Sequence, residues 1–451
     1  MRLSTQKDTS TLLGHPKGLF ILFLTEMWER FSFYGMRAIL VLFLVDNVRG
    51  GFGWSEAAAI KLYGINIMMV YVLGIPGGAL ADRYIGQKAA VLWGGILQCI
   101  GHFLLALSSE SIFIVGLGFI AVGTGLLKPN ISTMVGALYE KGDIRRDGGF
   151  TIFYMGINLG ATLAAVIVGS VGELYGWHYG FGLAGIGMLI GISTFLSGQK
   201  HLKNVGRKPQ KRNKEKTSSI ASKRFTFTKE EKDRLFVLFI CFIAIYTFFV
   251  AFEQAGGLMN LYAKKYTNRY VLGWEVPASM LQGLNPAFIV FFGLLVEMLW
   301  VKLTRRYKHI SSLYKMGVGN IIVGVGFLFM VGAALQKESA LTGQSNLSWL
   351  VVAYLFHTIG ELCLSPVALS FITKVAPKRV RSSMMGIFFA VLGTAGWTAS
   401  ELGAQAASSG DLMIFKLLFF GTVLLGILFI IFNKKLMRLT HGSEQATQED
   451  A

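Results

Sequence analysis

Twelve apolar runs leave this chain few ways to fold. They lie at about 18–46, 56–80, 88–107, 111–137, 148–172, 178–198, 234–262, 278–302, 312–335, 347–374, 383–407 and 411–433. About 20 apolar residues are enough for a helix to cross the ~30 Å hydrocarbon core of a bilayer, and each run has that length. The chain as a whole is 53% hydrophobic and only 15% charged, with a mean hydropathy of +0.54. The expected fold class is therefore an all-α integral membrane protein. The first run is too long for a cleaved leader and no small-residue cleavage site follows it, so it reads as the first span.

The longest interruption, 199–233, divides the runs six and six. Thirteen Lys or Arg lie between Lys200 and Arg234, which predicts a solvated basic linker. The predicted organisation is a six-span bundle over 1–198, the linker over 199–233, a second bundle over 234–433 and a tail over 434–451. The segments on the side of the N-terminus hold 33 Lys or Arg, whereas Arg49, Lys264, Lys265, Arg269 and Lys337 are the five on the other side. That asymmetry predicts a multi-pass protein of the inner cell membrane with both termini in the cytoplasm. The cluster Lys264, Lys265 and Arg269 is the loop that runs against the bias. The net charge of +18 thus reports topology, and no nucleic-acid partner is expected. Cys99, Cys241 and Cys363 all sit in apolar runs without paired spacing, which suits neither a disulfide framework nor a metal site.

Within the first run lies TEMWERFSFYGMR (25–37). At roughly 100° per residue, Glu26, Glu29, Arg30, Phe33 and Arg37 share one arc, and the opposite face is apolar. A charge at mid-membrane costs roughly 2.5–3.5 kcal/mol, so this stripe must face protein or water. Few other ionisable residues fall inside the runs. Lys128 sits in GTGLLKPNIS, Glu253 in FEQAGG and Glu361 in GELCLSP. Glu173 and Glu297 lie near span ends, where they are expected to reach water, and Glu401 is a weaker candidate. The first half thus offers Glu26, Glu29, Arg30, Arg37 and Lys128, and the second Glu253 and Glu361. This balance suggests gating pairs across the halves, Arg37 with Glu253 and Lys128 with Glu361, which break when a carboxylate takes a proton. Arg30 and Lys128 suit a carboxylate and Glu361 an ammonium, the two ends of a zwitterion. Tyr34, Tyr71, Tyr154, Asn158 and Asn285 supply the polar and aromatic remainder. His102 and His357 read as packing residues.

These stretches resemble the proton-coupled oligopeptide transporter family, the peptide branch of the major facilitator superfamily. The loop GGALADRYIGQK (77–88) is similar to the facilitator loop signature. EMWERFSFYG (26–35), GTGLLKPN, FYMGINLGA (153–161), FEQAG, EVPASMLQGLNPAFI (275–289) and GELCLSP follow the order of the family's motifs over nearly the whole chain. The resemblance implies twelve helices in two bundles and proton-driven import of di- and tripeptides by alternating access. It implies proton coupling by Glu26, Glu29 and Arg30. The peptide carboxylate would go to Arg30 and Lys128, its amino terminus to Glu361 with Asn158 and Asn285. Tyr34 and Tyr71 would line the pocket, and Arg37 with Glu253 would form the outer gate. Three positions depart from the family pattern: Phe33 replaces the first Tyr of a Tyr-Tyr pair, Phe388 stands where Trp is common, and Trp397 follows Gly396 where Asn is common. Many bacterial members carry two extra helices between the halves, but here there is room only for the linker. No Ser–His or Asp–Asp arrangement suits an enzyme. No cofactor beyond the coupling proton is expected, and the functional unit is expected to be a monomer. The alternative is a facilitator for another small zwitterion or anion, such as an amino acid, a modified peptide or nitrate.

Overall fold

The computed structural model describes residues 11–140, 143, 145–202, 205–208, 227–307, 310–377 and 379–444. Among them are twelve long helices. The first half comprises α1 (Lys17–Val45), α2 (Glu56–Leu80), α3 (Gln87–Leu105), α4 (Glu110–Ala137), α5 (Arg145–Ala164) and α6 (Trp177–Ser197). The second comprises α7 (Lys229–Phe252), α8 (Leu284–Tyr307), α9 (Ser312–Ser339), α10 (Leu347–Val375), α11 (Arg381–Ser409) and α12 (Asp411–Arg438). Eleven of the spans are apolar enough to cross a membrane by composition; the exception is α1, because of its five charges. The helices alternate in direction. The described ends of the chain and of the linker therefore share one end, called here the near end, and the loops after α1, α3, α5, α7, α9 and α11 share the far end.

Several starts carry the side chains that satisfy a first turn's free N–H groups. Ser55 accepts from Ala58 N, Asn346 from Ser348 N, and Thr228 with Glu231 forms a reciprocal capping box at α7. Three spans are interrupted. α5 runs through a π-turn, Ala165–Gly169, into a last segment Ser170–Tyr175. α7 gives way to a 3-10 turn, Glu253–Gly256, and resumes as Leu258–Tyr266. α8 is preceded by a 3-10 turn, Ala278–Gly283.

Within each half the helices approach closely through small residues. A Cβ on Gly123 of α4 would stand 2.6 Å from the Gly94 carbonyl of α3, and one on Gly319 of α9 would stand 2.9 Å from the Gly360 carbonyl of α10. Between halves, α2 lies along α11 and α5 meets α8. One large buried cluster joins both halves. A smaller one, with Leu19, Leu127, Met134 and Phe195, belongs to the first half alone at the near end.

The linker differs from expectation where it is described. Its opening turn, Gly198–Leu202, buries Leu202 and is followed by buried Val205, and Lys88 N donates to the Gly206 carbonyl at 3.0 Å. Burying two apolar side chains holds this stretch against the first half rather than in solvent. The linker at 203–204 and 209–226 and the tail at 445–451 lie outside the described residues.

Candidate functional site

The stripe on α1 is buried throughout, and the charges of Glu26, Glu29 and Arg30 are matched within the first half. Arg30 Nε lies 3.1 Å from Glu26 Oε1 and also pairs with Glu29. Gln98 of α3 donates to Glu29 Oε1 at 3.1 Å. The Arg30 guanidinium stands 5.5 Å from the centre of the Phe33 ring. Close contact with α5 depends on Gly160, where a Cβ would stand 2.2 Å from the Met27 carbonyl. That is the physical need met by the glycine-rich FYMGINLGA stretch.

About two turns beyond Arg30 toward the far end, Arg37 Nη2 meets Glu253 Oε2 of α7 at 2.7 Å, which bonds the two halves. Tyr63 of α2 donates to the same oxygen at 3.2 Å. The guanidinium lies between the rings of Tyr34 and Tyr63, 5.7 and 5.6 Å from their centres. Glu253 stands where α7 breaks. A Cβ on Gly256 would come within 2.0 Å of Tyr63 Oη, so the glycines after Glu253 let α2 reach the break.

Glu361 of α10 accepts from Asn285 Nδ2 at 2.9 Å, and the same amide reaches Thr358 Oγ1 at 3.1 Å. Glu361, Asn285, Asn158, Tyr34, Tyr154 and Arg37 line one cavity of about 140 Å³ between the halves. His357 borders it as well. Tyr71 lies outside this lining and instead offers its ring to Lys128 Nζ, 4.6 Å from the ring centre.

Two expectations are corrected here. Lys128 makes no ion pair with Glu361 in this structure. It stays on the first half against Tyr71, within electrostatic reach of Glu26, Glu29 and Arg30, while Glu361 is held by Asn285 inside the second half. Glu173 does not reach water. It is buried, and its carboxylate takes Lys264 Nζ at 2.6 Å and the Ser279 backbone N–H and hydroxyl at 3.1 and 3.0 Å. This also accounts for the basic loop that runs against the charge bias. Lys264 pairs with Glu173, Lys265 with Glu56, and Arg269 with Glu275 at 2.6 Å. Gln98 and Tyr63 were not singled out in the sequence. A polar Gln inside the apolar run of α3 was a usable signal; a Tyr in α2 was not, because its role depends on the break in α7.

Chain-wide comparison agrees with this geometry. A sequence profile described as the POT family matches residues 88–225 and 211–411. The chain belongs to the POT family. Among POT relatives, the "Peptide transporter YePEPT" of Yersinia enterocolitica is 35% identical over 97% of this chain and 98% of its own. A "Di-/tripeptide transporter" of Lactococcus lactis is 33% identical over 96% and 98%. Among solved POT structures, a peptide transporter variant in complex with alafosfalin superposes with a TM-score of 0.89, at 34% identity, over 96% of this chain and 97% of that one. A POT transporter in complex with 5-aminolevulinic acid gives 0.87 at 29% identity, over 94% and 98%. These superpositions place the chain in the major facilitator fold of two six-helix bundles.

Proposed function

We infer that this membrane transporter is a symporter that imports di- and tripeptides with protons by alternating access. The observation that carries the reading is the division of charge between the two halves on either side of the central cavity, which Arg37 and Glu361 line and Arg30 and Lys128 do not. Cationic Arg30 and Lys128 stand on the first half, anionic Glu361 stands on the second, and Arg37–Glu253 joins the halves on the far side. A peptide carboxylate drawn to Arg30 and Lys128 and an ammonium drawn to Glu361 would span the gap, with Asn158 and Asn285 beside the amino terminus. Tyr34 supplies an aromatic wall, and Tyr71 backs Lys128 beside it. Protonating Glu253 would remove its charge-pairing with Arg37 and free the far side to open. Protonating Glu26 or Glu29 would release Arg30 to the substrate. With the near side then open, loss of the substrate lets Arg30 draw back to its two carboxylates, and the proton leaves.

On this reading the chain works in the inner cell membrane with both termini cytoplasmic. The monomer is the transport unit, protons are the coupling ion with no further cofactor, and no bond of the substrate is made or broken. The predicted division into bundles at 1–198 and 234–433 joined by a linker is kept as part of the proposal.

Uptake of a labelled dipeptide into proteoliposomes, with and without an inward proton gradient, tests it. Wild type should accumulate peptide only with the gradient. Glu29→Gln should lose accumulation and keep exchange against preloaded peptide. No dipeptide uptake by folded protein would move the substrate to another small zwitterion or anion, a reading that the modest cavity and the apolar Phe33 ring beside Arg30 keep in view.

A further inference from the structure

Glu173 ends α5 at the far end, outside the lining of the central cavity. Its carboxylate is 3% exposed. One oxygen accepts the Ser279 backbone N–H at 3.1 Å and the Ser279 hydroxyl at 3.0 Å. The other takes Lys264 Nζ at 2.6 Å, with Arg269 Nη1 at 3.8 Å. All four donor groups belong to the second half: the resumed segment of α7, the loop after it, and the 3-10 turn before α8. The Glu173 backbone carbonyl accepts from Arg49 Nη1 at 2.5 Å, which ties the loop after α1 to the same point. The surrounding segments touch with little room between them, since a Cβ on Gly169 of the π-turn would stand 2.9 Å from Ser279 Oγ.

We propose that Glu173 is a positioning residue for alternating access, the anchor of a second far-side closure separate from Arg37–Glu253. The inference rests on the alternating-access reading above. The two closures differ in construction. Arg37–Glu253 borders the cavity and responds to what occupies it. Glu173 gathers three hydrogen bonds and the nearby Arg269 cation and touches none of the cavity. Opening the far side must hand the three bonds and the ion contact to water together, so Glu173 sets how rarely that side opens. Arg269 keeps Glu275 and the Val276 carbonyl when Glu173 is lost, and Lys264, partly exposed, turns to water, so removal of the anchor leaves no cation stranded there.

The test is the reaction rate of a membrane-impermeant maleimide with a cysteine at the cavity wall, Ala161→Cys. The reagent is applied first to one face of the membrane and then to the other; Cys99, Cys241 and Cys363 are buried, and protein without Ala161→Cys measures their background. Glu173→Gln should raise the far-side rate about tenfold or more and leave the near-side rate equal or lower, because a displaced equilibrium favours one opening over the other. Lys264→Gln, at a partly exposed position that a fold tolerates, should raise the far-side rate by a smaller factor. An unchanged far-side rate in both variants overturns the proposal. So does a rise on both faces together, which marks general loosening. The labelling uses no substrate, so a failure of dipeptide uptake and a failure of this closure are read separately.

Discussion

The Arg37–Glu253 pair invites a double-mutant cycle whose outcome can be worked from its surroundings. The two side chains meet at 2.7 Å with side-chain exposures of 11% and 3%. Arg37→Met leaves Glu253 with a single donor, Tyr63 at 3.2 Å. Glu253→Leu leaves Arg37 facing the Tyr34 and Tyr63 rings and the cavity, with no carboxylate paired to it among the described residues. Stranding one member of a buried pair typically costs about 3–5 kcal/mol, whereas replacing both by apolar groups of similar volume is near neutral. Each single variant should therefore melt well below wild type, and Arg37→Met/Glu253→Leu should recover most of the loss. With both singles costing that much and the double near neutral, the coupling expected is about 6–10 kcal/mol. Thermal unfolding in detergent, followed by tryptophan fluorescence, reads all three variants. Proteoliposome uptake of the double variant adds the functional arm: a stable protein that no longer accumulates substrate with the gradient marks a gate rather than a packing clamp. A double variant whose loss equals the sum of the two single losses would refute the reasoning, because the two side chains would then act independently.

Two further predictions rest on contacts of the α1 stripe. Gln98→Leu removes the donor at 3.1 Å from Glu29 and leaves a buried carboxylate oxygen without it, a penalty of about 1–3 kcal/mol. Gradient-driven uptake should fall several-fold while exchange of preloaded substrate survives, and equal loss of both would argue against a role through Glu29. Gly160→Ala places a Cβ 2.2 Å from the Met27 carbonyl and forces α5 away from α1. Folded yield and melting temperature in detergent should both drop, by an amount matching overpacking of about 1–3 kcal/mol or more, and wild-type behaviour would mean that the helices are less tightly apposed.

Much of the site was legible before any coordinates. The stripe of Glu26, Glu29, Arg30 and Arg37 follows from helical periodicity alone, since residues three, four and seven apart must share a face. Glu253 and Glu361 stood out because a carboxylate in an apolar run has no bland use. Partners were harder. Arg37 does meet Glu253, but Lys128 meets the Tyr71 ring rather than Glu361, because a cross-half contact depends on how far apart the bundles stand. Glu173 was misplaced for a related reason. Position near a span end suggests water, yet the segment after α7 and the 3-10 turn before α8 fold over it, and neither is visible in hydropathy.

By itself the sequence determined the number and direction of the spans, their limits to within a few residues at most ends, the bias of basic residues toward one end, and which helix faces carry charge. These are local properties: backbone hydrogen bonds that cannot be left open in lipid force each apolar run into a helix, and the helix repeat then sorts its side chains. The tertiary structure decided which charges pair, where α7 breaks so that Tyr63 can reach Glu253, and that Glu173 is a buried junction rather than a wet end. Those outcomes depend on the distance between two bundles, and no periodicity within one helix encodes the position of a group on another.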